Sequence, residues 1–173
     1  MALKLHEHVK SNTAASHLAY QPTYVDCALN PGLGERVNER TGGCACGAVR
    51  FRITAALLGV GVCHCSDCQK ASGGSPAYVG YAPNGALEIT SGDVRIYRSK
   101  ADSGEDVGRV FCPDCGSPLW SVSAGAPFTP VKLGALDDAS DLKPSVHIYV
   151  ASASPWHLMH EGLPRFPQMP PLP

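Results

Sequence analysis

Seven of the eight cysteines fall in three short patterns: Cys44-Ala-Cys46-Gly47, Cys63-His-Cys65-Ser-Asp-Cys68 and Cys112-Pro-Asp-Cys115-Gly116. Zinc takes four ligands at tetrahedral corners, with thiolate sulfurs near ~2.3 Å. A Cys-x₂-Cys turn suits it, because the bend brings both sulfurs to one side. The glycine after the second cysteine relieves crowding where the backbone turns. Cys-x-Cys on an extended segment also presents two sulfurs on one face, since strand side chains repeat every second residue. Spacing alone leaves open which pairs share a metal, but counting favours a partition. Cys44, Cys46, Cys112 and Cys115 together make a saturated, structural type of site. Cys63, Cys65 and Cys68 supply three ligands and leave a fourth position open, as at a catalytic metal. Two zinc ions per chain are therefore expected.

Blander readings compete at each position. Disulfides between i and i+2 cysteines are geometrically poor, and a single structural cluster with the remaining thiols merely buried is the other alternative. Cys27 stands outside the patterns and reads as a spare or buried thiol. On a strand, His64 would face away from Cys63 and Cys65, so packing or support of the ligands is expected rather than ligation. Lys70 suits a substrate carboxylate but reads more readily as a solvated surface lysine. Ser72-Gly73-Gly74-Ser75 is either an ordinary turn or a loop that lets a ligand approach the backbone. Trp156 is expected in core or edge packing. His147, His157 and His160 have no partner that the sequence names.

These residues must be positioned mainly by strands. Val49, Phe51 and Ile53 alternate with arginines in Ala48–Thr54, the pattern of a half-buried strand. Similar runs are Val60–Cys65, Ala77–Tyr81, Leu87–Thr90, Val94–Arg98, Arg109–Cys112, Leu119–Val122, Val131–Leu136 and Val146–Val150. Turn signals such as Pro83-Asn84-Gly85 and Ser91-Gly92-Asp93 separate them. Only Ser66–Ala71 predicts a short helix, capped by Ser66 or Asp67. A mostly β, antiparallel domain over residues 41–166 is expected. Residues 1–40 read as an N-terminal extension and 167–173 as a proline-rich tail.

Composition narrows the function. The chain has 173 residues, 44% hydrophobic and 17% charged, with 18 glycines and 15 prolines. That length suits one domain able to bury roughly two-thirds of its unfolded surface without disulfides. The formal charge is −1. Seven thiolates and two Zn²⁺ would take it to −1 − 7 + 4 = −4. Neither value suits a nucleic-acid binder. No signal-peptide core follows Met1, and no run approaches the ~18–20 apolar residues of a membrane span. A cytoplasmic, reducing location is expected, where cysteine clusters bind metals or do redox chemistry.

With the three cysteine patterns in this order, the chain resembles the glutathione-dependent formaldehyde-activating enzyme family, the centromere protein V-like group. The resemblance runs from about Gly42 to Phe166. It is carried by Gly43–Phe51, Cys63–Gly73 and Phe111–Leu119, then by His147-Ile-Tyr-Val-Ala-Ser, Pro155-Trp156 and Gly162-Leu-Pro-Arg-Phe166. It implies an Mss4-like fold of β-sheets around zinc, with a structural zinc on Cys44, Cys46, Cys112 and Cys115. It also implies an active-site zinc on Cys63, Cys65 and Cys68, the residues to which catalysis is then assigned. The implied reaction joins glutathione and formaldehyde into S-hydroxymethylglutathione, classed as a carbon–sulfur lyase in reverse. Gln69-Lys70 departs from the family's usual Arg-Lys, and the first 40 residues lie outside the match.

The expected partners are thus a small-molecule thiol, glutathione, and an aldehyde. Thiolate activation is the better role for a zinc already carrying three thiolates. A zinc-stabilised binding module without catalysis is the alternative. There the fourth position on the triplet would be filled by Asp67, Cys27 or a histidine. A redox enzyme similar to methionine sulfoxide reductases would need a free nucleophilic cysteine, and only Cys27 is unassigned.

Overall fold

The structure, a computed structural model, describes residues 39–101 and 104–170. Cys27, His6, His8 and His17 therefore lie outside the described residues. Alternating burial builds the first sheet. Strand β1 (Arg40–Gly43) pairs antiparallel with β2 (Arg50–Ile53), whose other edge takes β5 (Leu87–Ser91). Val49, Phe51 and Ile53 point inward and are buried, while Arg52 between them is exposed. Fully burying each of these side chains contributes roughly 1.5–3 kcal/mol.

The second sheet has seven strands. Its chain-order members are β3 (Val60–Cys63), β4 (Ala77–Pro83), β6 (Arg95–Lys100), β7 (Asp106–Phe111), β8 (Pro118–Ser123), β9 (Phe128–Lys132) and β10 (Val146–Ile148). Across the sheet they run β10-β3-β4-β9-β8-β7-β6. Only the β10–β3 pair is parallel. The core lies where both sheets contribute. Phe51 of β2 meets Trp120 of β8 edge-on, with ring centroids 5.5 Å apart, among Val110, Leu119, Val131 and Ala82. The domain is mostly β, as expected, with one six-residue helix, α1 (Ser66–Ala71), among the described residues.

Some element limits differ from the sequence reading. The run Val131–Leu136 is instead strand Phe128–Lys132 followed by a 3₁₀ turn at Leu133–Ala135. Pro130 hid this strand, because proline lacks the N–H that a ladder uses. It is tolerated where the only paired position between β8 and β9 is Trp120 with Val131. The run Val146–Val150 stops at Ile148, because Tyr149 turns into the left-handed region (φ 58°) and opens a 3₁₀ turn at Val150–Ser152. The cap of α1 is Cys65, neither Ser66 nor Asp67. A sulfur here accepts the first-turn N–H that an oxygen would otherwise take.

Candidate functional site

The first cysteine cluster joins the two sheets. Cys44 and Cys46 lie in the hairpin turn between β1 and β2, and Cys112 and Cys115 in the turn between β7 and β8. Both turns close on themselves. Cys44 N donates to Val49 O at 3.1 Å, Gly47 N to Cys44 O at 3.1 Å, and Gly116 N to Cys112 O at 3.0 Å. Gly47 (φ 78°) and Gly116 (φ 73°) take the left-handed conformation that ends each turn, which a side chain would strain. The turns are stitched together by Ala45 N donating to Ser117 Oγ at 3.1 Å. Cys46 Sγ then lies 3.4 Å from Cys44 Sγ and 3.8 Å from Cys112 Sγ, and all four sulfurs fall within 4.8 Å of one another. The protein favours the thiolate at two of the four, Cys44 and Cys115, whereas at Cys46 the Ala48 backbone bond is outweighed by its Cys44 and Cys115 neighbours, which push it up to about 12. The Val49 N–H, 3.2 Å from Cys44 Sγ, lowers the Cys44 pKa. The Ser117 hydroxyl and backbone bring Cys115 down to about 5. Four sulfurs at a junction between sheets fit a tetrahedral thiolate-bound ion.

The second cluster is built on a single bend. Cys63 ends β3 and is buried, Cys65 caps α1, and Cys68 sits one turn into the helix. Cys68 N donates to Cys65 Sγ at 3.4 Å, so the cap geometry itself converges the sulfurs. The three lie within 4.8 Å of one another. The thiols of Cys63 and Cys65 donate to Cys68 and hold its pKa well below the usual thiol range. Lys132 and Arg109 add to this with positive charge. Hydrogen bonding with Cys65 and Cys68, with burial, pushes Cys63 far up.

No fourth histidine, cysteine or carboxylate completes this triplet among the described residues. Asp67 is already engaged: its Oδ2 accepts from Arg109 Nη2 at 2.7 Å. His64, between two of the cysteines, is wholly buried and uses both ring nitrogens elsewhere. All seven cysteines of the described residues belong to the two clusters.

His64 belongs to a chain of histidines. His157 Nε2 lies 2.8 Å from the Gly74 carbonyl, and an acceptor there requires that nitrogen to donate. A neutral His157 must then accept at Nδ1, 3.0 Å from His64 Nδ1, which donates. His64 Nε2 is left to accept from His147 Nδ1 at 2.9 Å. His147 Nε2 finally accepts from the backbone N–H of His160 at 3.0 Å. Backbone groups of opposite kind seal the two ends, so one set of neutral tautomers satisfies every bond. Burial, then the charges of His147 and His157, bring the His64 pKa down to about 4, in keeping with neutrality. His147 and His157, to which the sequence assigned no partners, are thus both bonded to His64, while His160 joins through its backbone N–H and its imidazole lies 3.2 Å from the Tyr78 hydroxyl.

The other supports of the triplet are also local. Gln69 Nε2 donates to His64 O and to Ser152 O, each at 2.7 Å, and its Oε1 accepts from Ser154 Oγ at 3.1 Å. The departure at Gln69 is therefore a clamp between the cysteine bend and the segment after β10. The loop that follows α1 is a turn that also anchors the histidine chain. Gly73 (φ 66°) and Gly74 (φ 95°) are left-handed, Gly74 N donates to Gln69 O, and Gly74 O receives His157. Lys70 is exposed, as expected. Trp156 is not core: it is 73% exposed and stands edge-on to His157, beside a cleft of about 510 Å³ that Gly74 and Leu158 also line. The long β10-to-tail segment reaches the triplet through His157, and its indole is left outside.

Sequence reasoning did not single out Lys132. Its Nζ lies 4.0 Å from Cys68 Sγ, although 64 residues separate the two in sequence. Its only signal is its place near the start of the expected β run Val131–Leu136, and the structure makes it the last residue of β9 instead.

The family model for the glutathione-dependent formaldehyde-activating enzyme matches residues 39–152, which include every cysteine of both clusters. The chain belongs to this family. A Halomonas elongata protein carrying the same family name is 34% identical over 83 residues, 46% of this chain and 53% of that protein. The chain thus spans about half the length of this curated relative. A Rhodobacter sphaeroides protein of known crystal structure is similar over 58% of this chain and 91% of that one, at 22% identity and a TM-score of 0.47. No helix among the described residues is long and apolar enough to cross a membrane.

Proposed function

We propose that the protein is a zinc-dependent enzyme of the carbon–sulfur lyase type, acting on the adduct of glutathione with formaldehyde or on a related thiol–carbonyl pair. The observation that carries this reading is the Cys63/Cys65/Cys68 triplet, three converging sulfurs without a fourth protein ligand among the described residues. Membership of the family supports it. Cys44, Cys46, Cys112 and Cys115 would hold a structural ion, and the triplet a second one. A zinc ion on three thiolates would favour a substrate thiol in its thiolate form and so supply a nucleophile at neutral pH.

The protein's own residues do the rest. Cys65 and Cys68 are fixed by the helix cap, and Cys63 by the end of β3. Gln69 and the histidine chain hold the backbone between them. In the reaction a sulfur–carbon bond forms as the carbonyl π pair moves to oxygen, and the proton lost by the thiol ends on that oxygen. In reverse the hydroxyl proton leaves, the carbon–sulfur bond breaks and free thiol and aldehyde return. Because this addition also proceeds unaided, the protein's gain is chiefly positioning.

Calorimetry of the zinc-loaded protein with glutathione in two buffers of different ionisation enthalpy should show binding with proton release. Exchange NMR with formaldehyde and glutathione should then show interconversion faster than in buffer alone. Absence of glutathione binding at millimolar concentration would sink the glutathione reading. Binding without acceleration would leave a zinc-stabilised binding module.

A further inference from the structure

Arg40, Arg50, Arg52, Lys100 and Arg109 each face a carboxylate. Lys132 faces sulfur instead. It is half-buried at the end of β9, opposite Val79 of β4, and its ammonium lies 4.0 Å from Cys68 Sγ. No carboxylate of the described residues lies within ion-pair reach of it. The same side chain lines an open cleft of about 590 Å³, walled by Ala71 and Ser72 at the end of α1, by Tyr78 and by Cys44 of the other cluster. Such a volume is that of a small-molecule site. Lys132 therefore reaches both the cleft, which it lines, and the triplet, through Cys68.

Charge gives this placement a consequence. A divalent ion on three thiolates carries a net charge of −1, and a fourth thiolate brings it to −2. A fixed cation beside the site would ease that added charge. The Arg109 guanidinium is nearby but is committed to Asp67. Lys132 is held against Cys68 without such a competitor. Burial of an ammonium is eased by an anionic neighbour, and the Cys68 sulfur is the group that faces this one.

We propose that Lys132 is the thiolate-binding residue of the site. Its ammonium balances the charge of the substrate sulfur beside Cys68, and the cleft takes the remainder of the thiol molecule. The proposal rests on the zinc–thiol reading above. It makes selectivity a matter of the sulfur's charge, so glutathione and a small neutral-bodied thiol depend on Lys132 alike.

The test is calorimetric binding of glutathione and of 2-mercaptoethanol to zinc-loaded wild type, Lys132→Met and Lys132→Arg, with zinc measured in each. Lys132→Met should keep the wild-type zinc content and weaken both thiols about tenfold, the scale of one partly exposed charge-assisted contact. Lys132→Arg should restore both to within about threefold, since the charge is kept and only its shape changes. A loss confined to glutathione would make Lys132 a carboxylate contact and overturn the proposal. Loss of zinc from Lys132→Met would overturn it too, leaving Lys132 a stabiliser of the triplet. If wild type binds both thiols and Lys132→Met matches it, this assignment alone fails. If zinc-loaded wild type binds neither thiol, the enzyme reading and this assignment fall together.

Discussion

His147→Phe should destabilise the zinc-loaded protein by about 2–3 kcal/mol, although the new ring nearly matches the old in volume. The figure follows from what the imidazole holds. His147 Nδ1 donates to His64 Nε2, and His147 Nε2 accepts from the His160 N–H. Phenylalanine leaves both partners without a bond. His160 is exposed and its N–H recovers water, so that loss is small. His64 is wholly buried, and a buried polar atom left unpaired costs about 1–3 kcal/mol. Tautomerism offers no repair. If His64 moved its proton to Nε2, it would face the phenyl ring and also lose its bond to His157, since both facing Nδ1 atoms would then be acceptors. A loss of this size is a large share of the ~5–15 kcal/mol by which domains are stable. Urea unfolding read by circular dichroism, with wild type alongside, measures it. His160→Ala is the control, because that residue serves the chain through its backbone; it gives up only an exposed bond to the Tyr78 hydroxyl and should stay within about 1 kcal/mol. Long-range ¹⁵N–¹H spectra should show His64 and His147 protonated at Nδ1 and His157 at Nε2. His147→Phe matching wild type, or His147 carrying its proton at Nε2, would refute the directional chain.

Other outcomes follow from the same geometry. Cys112→Ser should yield unfolded or insoluble protein, since loss of one ligand in a site joining two sheets removes folding energy; a soluble variant with an unchanged Tm would rule out the structural role. Cys65→Ser should leave a folded chain holding about one zinc ion in place of two, by elemental analysis; loss of both together would refute the partition. Stability should fall as pH drops below 6.5, the ordinary histidine value, because burial, then His160 and Arg165, hold His147 below that value in the folded protein. The unfolded chain then binds protons that the folded one refuses, so this contribution is complete above 6.5 and lost as pH falls toward the folded pKa. Urea midpoints at about pH 7.5 and 5.5 measure it, and a higher midpoint at the lower pH would contradict the sign.

The cysteine patterns were legible because metal ligation by a turn is a local property. Cys-x₂-Cys with a following glycine, or Cys-x-Cys on an extended bend, needs only its own backbone to converge two sulfurs. The buried face of β2 and the residue before it was legible for the same reason: Val49, Phe51 and Ile53 obey a period of two that each residue carries in its own type. Even the grouping of four and three cysteines followed from counting against a tetrahedral ion, and the described sulfurs come together in those two sets. What lies around the sulfurs was not legible, because it depends on segments brought together across 64 to 93 residues. His64 meets His147 only because β10 runs parallel beside β3, a pairing that no local pattern specifies. Trp156 was expected in core or edge packing because indole is apolar, yet it is left in solvent when His157, its neighbour, turns inward to bond His64. Lys132 is one more polar residue in a β run until β9 pairs with β4 and sets its ammonium against Cys68. Residue types and short spacings thus determined which groups could bind metal; long-range strand pairing decided which charges and hydrogen bonds surround them, since those contacts cost chain entropy that only the packed core offsets.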